Sequence, residues 1–120
     1  MAITIKLKGT TVTIHPMSHP VSYGGGQIDW NPKDDSDQYN FDDPPIVFDN
    51  ENAPITVNTP NGANASAADN NQNNSGQDVG YTYHVCLIDA SGNHITYPPM
   101  SSPTGDPNPT ITNKPKYWID

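Results

Sequence analysis

A chain of 120 residues can build one core but not two, and with apolar side chains at 32% and a net charge of −8 that core is thin and the surface acidic. Five lysines and no arginine against thirteen acids exclude nucleic-acid binding, since phosphate backbones require a positive field and bidentate guanidinium groups. The same deficit opposes docking on anionic lipid, and no run approaches the ~20 apolar residues that span a bilayer. Thirteen prolines, recurrent Asn-Gly, Ser-Gly and Gly-Gly pairs, and few Ala, Leu or Glu where a helix would need them predict a single all-β domain over residues 1–120.

The opening MAITIKLKG alternates as a strand does, instead of following a basic end with an apolar stretch, so it does not read as a secretory leader. The cytoplasm is the default expectation, although a secreted chain given a new initiator methionine would begin the same way. Ile3, Ile5 and Leu7 alternate with Thr4, Lys6 and Lys8; after Gly9-Thr10, Val12 and Ile14 alternate with Thr11 and Thr13. A two-residue turn there pairs Leu7 with Val12 and Ile5 with Ile14, which places every apolar side chain on one face. Pro16 and Pro20 then end regular pairing around HPMSH. Residues 23–45 read as a long surface excursion with at most one short strand around Ile28 and Trp30. Eight of the thirteen acids fall between positions 29 and 51. Ile46–Phe48 and Ile55–Val57 predict two short strands. Residues 58–78, rich in Asn, Ser, Ala and Gly, bury too little apolar surface to offset their ordering entropy and predict a mobile loop. Strands are expected again at Val79–Asp89, His94–Tyr97, Thr110–Asn113 and Tyr117–Ile119, with an extended proline-set connection at 98–109.

The stretch HVCLIDASGNHITYPPM, residues 84–100, carries the lone Cys86, two histidines and a methionine. A type I turn at Ala90-Ser91, with Gly92 left-handed in a bulge, pairs Asp89 with Asn93 and His94 with Ile88. That register gathers Tyr81, Tyr83, Val85, Leu87, Ile95 and Tyr97 on one face, the core, and leaves His84, Cys86 and His94 together on the outer one. Thiolate and imidazole suit a soft metal, so these three are the candidate ligands. The set resembles that of blue-copper proteins, but Cys86 lies in mid-strand, His94 eight positions on, and Met100 beyond two prolines, so the spacing departs from that family. A polar strand face without a metal is the competing expectation. His15 and His19 stand four apart, yet Pro16 and Pro20 oppose the helix that would align them.

Calcium wants six to eight oxygens, which aspartates on flexible loops supply; Asp34, Asp35 and Asp37, together with Asp49 and Glu51, are the candidates. The acidic stretch lacks the glycine and terminal glutamate of an EF-hand. FDNENAPI, residues 48–55, resembles the calcium linker of cadherins at Asp49, Asn50, Asn52, Ala53 and Pro54, with Glu51 in place of an aspartate. A solvated acidic loop is the alternative use of these residues. Catalysis finds no support: no serine sits in a nucleophile elbow, and His84 and Cys86 at i, i+2 on a strand point in parallel. Tyr23, Trp30, Tyr39 and Trp118 beside Asn and Asp could form a sugar platform, or the two tryptophans could seal a thin core.

GDPNPTITNKP, residues 105–115, resembles the ending of the small proteobacterial DP-EP family of β-sandwich proteins through Asp106, Pro107, Ile111, Asn113 and Pro115, with Pro109 departing in detail. The resemblance implies a compact sandwich and transfers no site. Together these features predict a single immunoglobulin-like or cupredoxin-like antiparallel β-sandwich of 7–9 short strands with long loops. Its expected role is non-enzymatic, an acidic binding module without a cofactor. A protein or glycan partner would be met through the loops, or a second copy through an exposed sheet edge. A metal-binding sandwich, with calcium on the acidic loops or a soft metal near Cys86, is the alternative.

Overall fold

The computed structural model describes residues 2–100 and 108–116; the expected strand at 117–119 with Trp118, and Asp106 and Pro107 of the C-terminal motif, lie outside them. Ten strands follow in chain order: β1 Ile3–Lys8, β2 Thr11–His15, β3 Ser18–Val21, β4 Gly26–Pro32, β5 Tyr39–Phe48, β6 Ile55–Val57, β7 Ala65–Asp69, β8 Val79–Asp89, β9 His94–Tyr97 and β10 Thr110–Asn113. One sheet has the order β2-β1-β4-β7-β6; the other runs β3-β10-β8-β5, with β9 also on β8. The two pack face to face as a sandwich around one cluster of buried residues drawn from both. No helix long and apolar enough to cross a membrane occurs among the described residues.

The expected sandwich is therefore present, with two corrections. The described residues form ten strands instead of seven to nine, and the sheets are mixed instead of antiparallel, because β1 pairs β4 and β10 pairs β3 in parallel. A tight hairpin can join only antiparallel neighbours; β4 reaches β1 after the chain has crossed to the other sheet through β3 and returned, which permits the parallel match.

Both hairpins form in the predicted registers. Leu7 pairs Val12 and Ile5 pairs Ile14 around Gly9, whose φ is 64°. Ile88 pairs His94, Leu87 pairs Ile95, and the Asp89 amide donates to Asn93 O at 2.9 Å, with Gly92 at φ 88°. Tyr83, Val85 and Leu87 are fully buried, while Ile95 and Tyr97 are half-buried against them.

Three segments differ from expectation. The surface excursion at 23–45 contains β4, the middle strand of its sheet, and the first half of β5; four residues interrupt β5, whose pairing with β8 jumps from Phe41 opposite Leu87 to Ile46 opposite Val85. HPMSH is not a loop throughout, since β3 starts at Ser18 and tolerates Pro20 because it is an edge strand. The expected mobile loop at 58–78 holds β7, which pairs β4 on one side and β6 on the other. Alanine is its core residue: Ala65 lies opposite Trp30 and Ala67 opposite Ile28, small side chains beside large ones.

Trp30 on β4 and Tyr83 on β8 are both 0% exposed, and they join the sheets. The indole Nε1–H donates to the Tyr83 hydroxyl at 3.1 Å, and the rings meet edge to face with centroids 5.5 Å apart. Burial pushes the Tyr83 phenol above its usual range, so it stays neutral.

Tyr83→Phe strands the buried indole N–H without its acceptor and is expected to cost about 1–3 kcal/mol in urea unfolding. The pair Trp30→Phe with Tyr83→Phe should cost less than the sum of the two singles, because the double variant leaves no orphaned donor. Gly25, at φ 89°, would place a Cβ 2.0 Å from the carbonyl oxygen of Asp69. Gly25→Ala should therefore lose more than the roughly 1–2 kcal/mol of left-handed backbone strain alone, read as a fall in melting temperature.

Candidate functional site

The acidic β4–β5 loop is pinned and not free. Beyond Pro32 the chain continues along β1: Lys33 N donates to Ile5 O at 2.8 Å and Asp37 N to Leu7 O at 2.7 Å. Ser36 Oγ accepts from Leu7 N at 2.9 Å. The Asp37 carboxylate accepts from Gly9 N at 2.8 Å and from Lys8 Nζ at 3.4 Å. The Gly9 amide, helped by Lys8, holds the Asp37 carboxyl below its ordinary range. Asp35 turns away to Lys6 at 2.9 Å, and that contact lowers its pKa in the same way.

This loop, the β8–β9 turn and the segment before β7 enclose a cleft of about 610 Å³. Tyr39, Ile88, Ala63 and Pro32 supply its apolar surface, and Lys33, Asp34, Gln38 and Asn40 its polar groups. The ring of Tyr39 is fixed from both sides, by Phe41 edge to face at 5.6 Å and by its hydroxyl donating to Ala63 O at 3.1 Å. Across the cleft, Asp89 spends its carboxylate on the turn, accepting from Ser91 N and Asn93 N at 2.9 Å each. Those amides, Asn93 foremost, lower the Asp89 pKa. Among the described residues, no hydrogen bond within the protein occupies the side chains of Lys33, Asp34, Gln38 or Asn40. These four are therefore open to a ligand.

The soft-metal candidates do share the outer face of β8 and β9, as the register requires. They do not converge. His84 is buried, with Nδ1 donating to Pro98 O at 2.6 Å and Nε2 meeting the Asp49 carboxylate at 2.7 Å. In this arrangement neither nitrogen turns a lone pair to an ion. His94 instead meets Asp42, on the interrupted stretch of β5, at 2.8 Å. Cys86 lies half-buried between them, its thiol pushed up by burial and by the nearby Asp42 carboxylate, against a hydrogen bond with Thr96 that lowers it. Partial burial works against ionisation of Asp49, but Thr82 and His84 outweigh it and lower its pKa. The stabilisation carried by Asp49 is thus present above the ordinary carboxylate pKa and lost as pH falls through the lowered one.

The calcium candidates separate as well. Asp34 and Asp37 line the cleft, Asp35 and Asp37 are taken by lysines, Asp49 faces Thr82 and His84, and Glu51 is exposed between β5 and β6. Among the described residues, no three His, Cys, Asp or Glu side chains group so as to hold a metal ion. His15 ends β2 in one sheet and His19 lies in β3 of the other, buried, so a spacing of four residues brings no pair together. The sugar platform is corrected too: Trp30 seals the core, and Tyr39 is 5% exposed.

The groups missed in the sequence are amides. Asn71, just beyond β7 of one sheet, is 0% exposed and its Nδ2 donates to Val21 O at 3.0 Å and Lys114 O at 2.8 Å, closing the ends of β3 and β10 in the other. Its Oδ1 accepts from Asn73 N at 2.9 Å, Asn73 Oδ1 from Ser75 N at 2.9 Å, and Ser75 Oγ from Gln77 N at 3.2 Å. That chain of i to i+2 turns is visible as Asn-x-Asn-x-Ser-x-Gln, where each side chain caps the backbone two residues on. Neither the family models nor the curated protein sequences contain a match to this chain.

Cys86 in the folded protein is expected to react with iodoacetamide at pH 8 at least about tenfold more slowly than in urea, because its thiolate form and its accessibility are both suppressed. Rates followed by mass spectrometry with and without denaturant check this.

Proposed function

We propose that this chain is a non-enzymatic binding module whose ligand site is the loop-framed cleft, and that the ligand is a short, uncharged glycan. The observation that carries this reading is the division of labour among the cleft's polar groups. Asp37 and Asp89 are consumed in holding the loop and the turn, while Gln38 and Asn40 stand open beside Ile88. Each open amide both donates and accepts, which suits hydroxyl groups, and one lysine against Asp34, Asp37 and Asp89 leaves the opening acidic, which disfavours an anionic ligand. A cleft of about 610 Å³ falls in the range of small-ligand sites.

A glycan array probed with the folded protein should return at least one oligosaccharide. Gln38→Ala and Asn40→Ala should each weaken its binding about tenfold in calorimetry, with unchanged melting temperature. A blank array, or affinity indifferent to both substitutions, overturns the reading.

A second contact, with another copy of the chain, is favoured by the sheet edges. Among the described residues β3 carries Pro20, β5 is interrupted at Pro44 and Pro45, β6 has three residues, and β9 runs into Pro98 and Pro99. Among the described residues only β2, with Thr11 and Thr13 outward, presents an unblunted edge, of five residues. Sedimentation should show concentration-dependent self-association that Thr13→Lys abolishes; a monomer at all concentrations removes this contact.

A further inference from the structure

Asp69 ends β7 in one sheet and Asn113 ends β10 in the other, and the two meet between the sheets. Asn113 Nδ2 donates to Asp69 Oδ1 at 3.1 Å. Both side chains are buried, 4% and 1% exposed, and the remaining oxygens, Asp69 Oδ2 and Asn113 Oδ1, have no hydrogen-bond partner among the described residues. An ionised carboxylate and an amide carbonyl are both acceptors, so an ionised Asp69 makes one bond and leaves two buried oxygens orphaned on the same pair of side chains. The amide-lined hollow nearby, about 320 Å³ between Asn52, Asn70, Gln72, Tyr81 and Asn113, does not supply the missing donor. Asn71 and Asn73 in its wall are spent on strand ends and turns, and both orphaned oxygens are cut off from solvent. Among the described residues, a proton on the pair itself is the donor that remains.

We propose that Asp69 is protonated in the folded protein and donates its O–H to Asn113 Oδ1, so that acid and amide exchange two hydrogen bonds and latch the sheets together. The proton comes from solvent on folding and returns to it when the latch is broken by base, leaving a carboxylate; nothing else is consumed.

The surroundings agree. Burial raises the Asp69 carboxyl above its ordinary range, opposed only by the bond from Asn113. From β4 and β6 the register partners of Asp69 are Gly26 and Ile55, and Gly25 packs on its carbonyl. On β8 and β3, Asn113 pairs Val79 and Val21. The nearest charged groups in sequence are engaged elsewhere: Lys114 turns to Asp78 at 3.0 Å, and Lys116 lies over the Tyr23 ring. His19, two residues before Val21, is buried and its pKa is lowered first by that burial, which disfavours a charge there. Tyr81, in the hollow, pairs Ile111. Among the described residues, no positive partner therefore stands against Asp69.

The sign follows from linkage. A group whose folded pKa is raised stabilises fully below its unfolded pKa, and that stability is lost as pH rises through the folded value. Asp35, Asp37, Asp42, Asp49 and Asp89 have lowered pKa values and run the opposite way. The sandwich is accordingly tightest in weakly acidic solution.

Asp69→Asn tests this directly, because its amide can hold the same two bonds without a titrating proton. Relative to wild type, D69N should gain stability as pH rises from 4 to 8, its unfolding constant improving by up to tenfold per pH unit, the limit for one proton. A difference flat in pH, or one that widens toward acid, overturns the proposal. If D69N does not fold, the wild-type protein labelled with ¹³C at aspartate carboxyls decides alone: one carboxyl must titrate above the ordinary aspartate range and shift on Asn113→Ala. Carboxyls that all titrate at or below that range overturn the proposal equally.

Discussion

The contact between Trp30 and Tyr83 is the constraint on which the rest of the sandwich depends. β4 is the middle strand of one sheet and β8 the strand to which β10, β9 and β5 attach in the other, so a single indole-to-phenol bond with an edge-to-face ring contact sets the spacing of both layers. Phe48 tilts against the same Tyr83 ring at 5.6 Å, which ties β5 to the centre as well. A core with so few apolar residues cannot surround two large rings with more large side chains. It places Ala65 and Ala67 on β7 beside Trp30 and Ile28 instead, and this complementarity is what recruits an otherwise polar segment into the sheet.

Where apolar surface runs out, amides take over. Asn71 and Asn73 close carbonyls at the ends of β3 and β10, and Asn113 joins Asp69 between the layers. Such groups add little net energy when satisfied but are costly when orphaned, so they specify which loop end meets which strand end more than they add stability. The same economy governs the loops. Asp35 and Asp37 bind the lysines and the Gly9 amide of the first hairpin, and Asp89 caps its own turn, so much of the conspicuous acidity is structural. What remains unengaged around the cleft is Gln38, Asn40, Lys33 and Asp34, and the binding proposal rests on that remainder.

The outer face of β8 illustrates the same division between composition and arrangement. Register alone brings His84, Cys86 and His94 to one side of the sheet. The interruption at residues 42–45, opposite Cys86, then hands His94 to Asp42, while Asp49 and Pro98 O enclose His84. Each imidazole acquires its own acceptor, and the thiol is left half-buried between them.

The all-β class, both hairpin registers, the left-handed glycine at position 92 and the core faces of β1, β2 and β8 are legible in the amino-acid order, because periodicity and turn chemistry are local and act within a few residues. That β4 lies at the centre of a sheet, that alanines of β7 are core, that His84 is buried and that His15 and His19 part between two sheets emerges from packing between distant segments. Those outcomes depend on partners 14 to 53 residues away, as in His84 with Pro98 and Trp30 with Tyr83. An alanine or asparagine looks polar and loop-like until the large ring or open carbonyl that it complements is brought beside it.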